Sequence, residues 1–417
     1  MRARSLAALA LGAATCALAL ALGGCGGKSA AQSSTTTGGT TLTVYSSMPL
    51  QGADADQSRS IVDGEKLALE QVGGRVGRFT VKLVSKDDST SVAGQWTPDQ
   101  TSTAARQAAQ DKSTIAYIGD FDSFASAISV PITNEAGILQ VSPSNTYVGL
   151  TRAQAADKGE PDKYYPSTKR NYGRVIPTDA VQAAAQTAAQ RAQGCTRVYV
   201  LDDKGLYGHS LASLVADGDR RAAMQVFRDE IDDRATDYLD IAQRMKAFAA
   251  DCMFFAGTMP ASAVQLWKDI HDALPQARLF APHYLAESAF TGGLSRREQA
   301  LTYLTTPTLP RRVYPPPGQR FFAQYVSAYG EQPEPYAIYG YTAMRVVLDA
   351  IRRAGSRGND RDAVIDAFFK TRNLRSPLGT FSIDRAGDTS LDGYALNRVQ
   401  DGQVVFMREL RPRPAAG

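Results

Sequence analysis

Histidine and cysteine are scarce: the 417-residue chain has three of the first and four of the second. His209, His271 and His283 include no pair four residues apart, and Cys16, Cys25, Cys195 and Cys252 are too widely spaced for a zinc motif. No glycine-rich phosphate loop follows a strand. Gly208-His209-Ser210-Leu211-Ala212 looks superficially like the nucleophile elbow of α/β-hydrolases, which needs its serine at a strained turn directly after a strand. Here the strand ends near Leu201, six residues intervene, and Ser210 falls inside a helix. An enzyme is therefore not expected, and neither a cofactor nor a metal. A charge excess is missing too: 46 Lys and Arg stand against 42 Asp and Glu, which gives no electrostatic case for nucleic acid.

Long apolar runs are absent after the first residues. Arg2 and Arg4 precede a run from Leu6 to Leu22, which meets Gly23-Gly24-Cys25. A basic start, an apolar stretch and a small-residue cleavage site form a secretory signal over 1–24. The cysteine directly after the small pair resembles a bacterial lipobox, so Cys25 is the expected acylation site. The alternatives are a plain secretory signal or a transmembrane anchor, for which the run is short of the ~20 residues a comfortable span needs. Residues 25–40, rich in Gly, Ser and Thr, are expected to be a flexible tether. The remainder would then be extracytoplasmic, held to the membrane through lipid alone. Cys195 and Cys252 would lie in a disulfide-permissive compartment.

What the chain has in quantity is alternating strand and helix patterning. Ile115–Ile118 is an apolar run ending at Gly119; a small-residue loop reaches Ser123, Phe124–Ala136 reads as a helix, and Ile138–Val141 as the next strand. The loop Ser142-Pro143-Ser144-Asn145-Thr146 closes the unit. Strands buried on both faces read as continuous apolar runs, so this is a parallel β-α-β unit. Ligands in such sheets sit beyond the carboxyl ends of the strands. Ser123 also lies near a helix start, which favours an anion. The pattern extends upstream to Leu42 and, after a polar segment at 146–172 read as a surface insertion, starts again from Val175–Ile176 to Phe280. Late helices (Gly318–Tyr329, Tyr336–Ala354) and late strand-like sequence (Gly379–Val405) imply that the chain returns to each half.

The expected architecture is α/β: two doubly wound parallel-sheet lobes joined by a multi-crossover hinge. One lobe takes 41–174 plus 306–377, the other 175–305 plus 378–410, with a tail at 411–417. Cys195 and Cys252 each stand just before a strand of the second lobe. Neighbouring parallel strands would bring them within bridging distance, away from the cleft.

Three stretches carry a resemblance: Gly119 to Thr146 without a gap, Asp203-Lys204-Gly205-Leu206-Tyr207-Gly208 after a strand, and Tyr336-Ala337-Ile338-Tyr339-Gly340-Tyr341-Thr342-Ala343 opening a long helix. Together they resemble the branched-chain amino-acid-binding family of periplasmic solute-binding proteins over about Leu42 to Gln403. The resemblance implies a cleft holding a small ligand for delivery to the permease subunits of an ABC importer, with the protein a monomer. It places the ligand carboxylate on Ser123 and Thr146, with a backbone contact from Ser144. It places the ammonium on Asp179, and Tyr207 and Tyr336 in the cleft. Taken singly, Ser123, Thr146 and Asp179 also read as helix caps or turn residues, and Tyr207 as a core aromatic.

Three positions depart from the family. Pro282-His283-Tyr284 stands where a glutamate would oppose the ammonium, Thr258 replaces a tyrosine, and Gln57 sits where an aromatic lines the first loop. The implied ligand is an amino acid, with a carboxylate or amide lacking an ammonium as the rival. His283, ordinarily titrating near 6.5, is expected to weaken amino-acid binding on protonation between pH 7.5 and 5.5. A ligand-sensing lipoprotein without a transporter is the other function class left open.

Overall fold

The computed structural model describes residues 35–412 except 155, 233 and 259. The signal segment, Cys25 and the tether as far as residue 34 lie outside the described residues, as do 413–417.

Two six- to seven-stranded sheets organise the chain. The first runs Arg75–Val76, Phe79–Asp87, Thr41–Met48, Thr114–Ile118, Leu139–Ser142, Tyr172–Arg174, parallel except for the short edge strand Arg75–Val76. The second runs Gln225–Glu230, Arg197–Asp202, Cys252–Ala256, Arg278–Ala281, Thr302–Thr306, Tyr394–Gln400, Gln403–Leu410. Its first five strands are parallel and its last two antiparallel. Central strands such as Thr114–Ile118 and Cys252–Ala256 are buried at every residue, as their unbroken apolar sequences require. The fold is thus two doubly wound α/β lobes, and helix crossovers leave the loops after the strands facing a shared cleft.

Small residues decide the main helix contact of the first lobe. The helices Ala55–Glu70 and Ala337–Ala354 approach so closely that a Cβ on Gly64 would meet the Ala337 carbonyl at 2.3 Å. One on Gly340 would meet the Ile61 carbonyl, also at 2.3 Å. Glycine at both positions is what lets the returning helix dock. In the second lobe Cys195 and Cys252 are joined, with Cα atoms 5.7 Å apart, at the starts of the adjacent strands Arg197–Asp202 and Cys252–Ala256.

Four expectations are corrected. The strand placed at Val175–Ile176 is Tyr172–Arg174 and belongs to the first sheet; Val175 and Ile176 follow it into that lobe's core. The segment 146–172 is not a surface insertion: Tyr147, Leu150, Tyr164, Tyr165 and Tyr172 close a small core with Val130, and buried Glu160 accepts hydrogen bonds from Tyr147 and Tyr164. Residues 378–390 pack with the first lobe, through Phe381 and Ile383 and a bond from Arg174 N–H to Gly387 O (2.9 Å). The end of the tether is docked: Thr37 is buried, and Thr37 N–H donates to Asn359 O (2.8 Å). No helix among the described residues is long and apolar enough to cross a membrane.

Candidate ligand cleft

The first lobe's side of the cleft is a pair of loops sewn together by small polar side chains. Asp122 accepts from Phe124 N–H (2.7 Å) and caps the helix Ser123–Glu135. Ser142 Oγ accepts from Ser144 N–H (3.2 Å) and Asn145 N–H (3.0 Å), Ser144 Oγ donates to Phe121 O (2.8 Å), and the Asn145 amide donates to Asp120 O. Arg174, fully buried, donates to Asn145 O (3.0 Å) and Tyr147 O (2.8 Å) from behind and pairs with Asp388 at 3.0 Å. Between these pins sit Ser123 Oγ and Thr146 Oγ1, both buried and both without a hydrogen-bond partner. Ser144 has both its hydroxyl and its N–H engaged in the loop, so neither donor is left over for a ligand carboxylate.

The second lobe answers with an acceptor. Asp179 begins the helix Asp179–Ala192, its N–H donating to Thr146 O at 2.9 Å. The residue at the N-cap is Thr178, so Asp179 does not serve as the cap. Its carboxylate is fully buried and neither oxygen has a partner. Burial pushes its pKa up to about 7, against the opposing pull of the Thr146 hydroxyl, which lies near it without closing a hydrogen bond, and of the Arg174 charge. Buried polar atoms are ordinarily hydrogen-bonded, and leaving one unpaired costs about 1–3 kcal/mol. Around Asp179 the unpaired atoms also include the hydroxyls of Tyr207, Tyr336 and Tyr394.

Aromatic rings wall the space. Tyr207 lies edge-on to Tyr284 (ring centres 4.9 Å apart) and to His283 (5.8 Å), and His283 lies 6.3 Å from Tyr336 of the first lobe. Gln57 Oε1 accepts from Tyr336 N–H (2.9 Å), so it orients that tyrosine and also lines the opening. His283 is buried with Nδ1 at 2.9 Å from Gln182 Oε1, and the Gln182 amide nitrogen reaches Thr305 O at 3.4 Å. That assignment of the amide makes Nδ1 the protonated nitrogen and leaves Nε2 an acceptor. Burial drives the His283 pKa down to about 3, so the expected protonation near neutral pH does not occur.

The structure thus gathers Ser123, Ser144, Thr146, Asp179, Tyr207, His283, Tyr336 and Gln57. Thr258 donates its N–H to Asp203 Oδ2 (3.1 Å), and its hydroxyl is turned the same way. Tyr394 was missed, since strand-like alternation does not say which residue of a returning strand reaches the cleft. Tyr284 was read only as part of a motif. Ser210 lies one turn into the helix Leu206–Arg221, not at a strand exit. Among the described residues Asp202, His209 and Glu230 place ligand atoms within 4.8 Å of one another, but Asp202 is held by Arg228.

Residues 46–403 match the family described as periplasmic binding protein. The chain belongs to this family. An amino acid binding protein of Pseudomonas aeruginosa is 22% identical over 358 residues, 85% of this chain and 88% of that one. A leucine binding protein from Thermotoga maritima shares the fold with a TM-score of 0.73 at 23% identity, covering 89% of this chain and 99% of its own. A solute binding protein of an ABC transporter from Rhodopseudomonas palustris, solved with p-hydroxybenzoic acid, shares it with a TM-score of 0.71 at 18% identity, covering 90% and 98%.

Proposed function

We propose that this protein is an extracytoplasmic solute-binding lipoprotein that closes its two lobes on an α-amino acid and hands it to an ABC importer. The observation that carries this is the polarity of the unpaired groups. Hydroxyl donors, Ser123 and Thr146, stand on one lobe, and an unpaired acceptor, Asp179, on the other. Donors suit a carboxylate and the carboxylate of Asp179 suits an ammonium, so a zwitterion satisfies both sides at once. His283 Nε2 offers a neutral second acceptor where the family has a second negative charge. Ligand capture makes and breaks no covalent bond. The residues described here act by hydrogen bonding and by excluding water, which strengthens every polar contact inside.

Delivery to a transporter is supported by the family, and anchoring by the lipobox-like Cys25. Thermal shift of the chain lacking residues 1–25, screened against amino acids, amides and aromatic acids, tests the ligand class. A ligand of the folded state raises the melting temperature by mass action. Stabilisation by benzoate-type acids and by no amino acid would replace the zwitterion reading with that of an anion bound to protonated Asp179. Loss of uptake on deletion tests delivery, and release of a Cys25→Ser variant from the membrane fraction tests the anchor.

A further inference from the structure

The zwitterion groups occupy the deep end of the cleft, and the space beyond them has a character of its own. A cavity of about 490 Å³ opens between the lobes, lined on one side by the start of the helix Ala55–Glu70 and Phe121, and on the other by the turn at 283–288. Four of its lining residues are carboxylates, Asp54, Asp56, Glu287 and Glu334, and none is lysine or arginine. Asp56 is paired with Arg59. Among the described residues no cation lies within ion-pair distance of Asp54 or Glu287; both are partly buried, and the charge of Asp54 acts on Glu287. Asp122, at the head of the Ser123 helix, joins them: burial first, then the charge of Asp54, pushes its pKa up to about 6. Asp54 thus stands near a second carboxylate of its own lobe, Asp122, and near Glu287 of the other lobe.

A second observation joins this cavity to the deep site and its ligand. Tyr336 is nine-tenths buried, lines this same cavity, and its hydroxyl has no partner. Where an apolar side chain would be held, aromatic surface alone would suffice; here the aromatic wall of Phe121, Tyr284 and Tyr336 ends in negative charge. Rings of this kind also attract cations over their faces.

We infer that the preferred ligand is a basic amino acid, whose side-chain ammonium or guanidinium extends past Tyr336 to sit among Asp54, Asp122 and Glu287. This rests on the amino-acid reading of the deep site. Closure would then neutralise a repulsion between the lobes as well as bind the ligand.

Titration calorimetry of the soluble chain with L-lysine, L-arginine, L-norleucine and L-leucine at pH 8 and low salt decides it. Lysine and norleucine share the four-carbon chain and differ in the terminal charge. Lysine is expected to bind at least about tenfold tighter than norleucine, and the ratio to shrink as salt rises. The Asp54→Asn, Glu287→Gln double variant should cut the ratio by about tenfold. Norleucine or leucine binding as tightly as lysine overturns the inference while the amino-acid reading stands. A lysine preference undiminished in the double variant overturns the assignment to these carboxylates. Binding of no amino acid at all removes the underlying reading, and this inference with it.

Discussion

The two faces of the cleft are built in opposite ways. The first lobe presents neutral hydroxyls on loops pinned by Ser142, Ser144, Asn145 and Arg174, with Ser123 Oγ, Thr146 Oγ1 and the Asn145 side-chain oxygen left without a partner. The second lobe presents charge and rings on rigid helix and strand ends, with Asp179, Tyr207 and Tyr394 unpaired. The first face is preorganised and cheap to leave open, since a hydroxyl is easily solvated. The second holds a carboxylate whose burial is costly unless something positive joins it. Closure without ligand is therefore opposed chiefly by the second lobe, and under the proposed function that is where an ammonium would be selected.

Removing the carboxylate should break the contrast most severely. Asp179→Asn is expected to weaken amino-acid binding by at least about 100-fold, because stripping one partner from a buried ion pair costs about 3–5 kcal/mol. The same change should raise the melting temperature of the ligand-free protein. Because Asp179's folded pKa lies above its ordinary value, its stabilising contribution is present below about 4 and lost as pH rises through about 7. At pH 8 the variant escapes that loss. Calorimetry and thermal melts read the two effects, and a ligand-free variant that melts lower would contradict the desolvation argument.

On the neutral face the loss should be smaller. Ser123→Ala deletes one hydrogen bond to a carboxylate, worth about 1.5–3 kcal/mol, so affinity should fall roughly 10–100-fold. Ligand-free stability should hardly change, as Ser123 Oγ has no partner to lose. Unchanged affinity in the folded variant would remove Ser123 from the carboxylate clamp.

Acidity should act on one face alone. An ammonium requires ionised Asp179, so amino-acid affinity should be about tenfold weaker at pH 6 than at pH 8, following the Asp179 pKa of about 7. Isothermal titration across that range checks it. Tighter binding at pH 6 would instead favour an anion without an amine, accepted by the protonated acid.

How much of this could be read from the sequence differs between fold and site. Runs such as Ile115–Ile118 announce buried parallel strands because nothing else in a folded chain tolerates them, and the spacing from Ser123 to Thr146 follows from one β-α-β unit. The segment 146–172 misled because its tyrosines carry no period, yet they pack with Val130 and cover Glu160. Tyr394 enters the site from a strand more than two hundred residues after Asp179, and no local pattern encodes that meeting. Thr258 shows the converse: the resemblance assigns its position to the cleft, but its N–H bond to Asp203, fifty-five residues away, is not written in any local spacing. The acidic mouth was equally hidden, since Asp54 and Glu287 converge only once the lobes are folded against each other.

The smallest effect concerns His283, where burial corrects an expectation drawn from composition. An imidazole in water titrates near neutrality, but this one is enclosed by Tyr207, Tyr284 and Tyr336 and tied to Gln182, so the charged form is excluded until the pH nears 3. It acts as a neutral acceptor at Nε2, a role a glutamine oxygen can partly assume. His283→Gln should therefore weaken binding only about three- to tenfold, the worth of one hydrogen bond of about 1 kcal/mol. The pH trend should survive unchanged, because Asp179 carries it. A flattened profile in that variant would show that the imidazole does take up a proton in the working range. Its burial against the tyrosines would then have to open with the cleft.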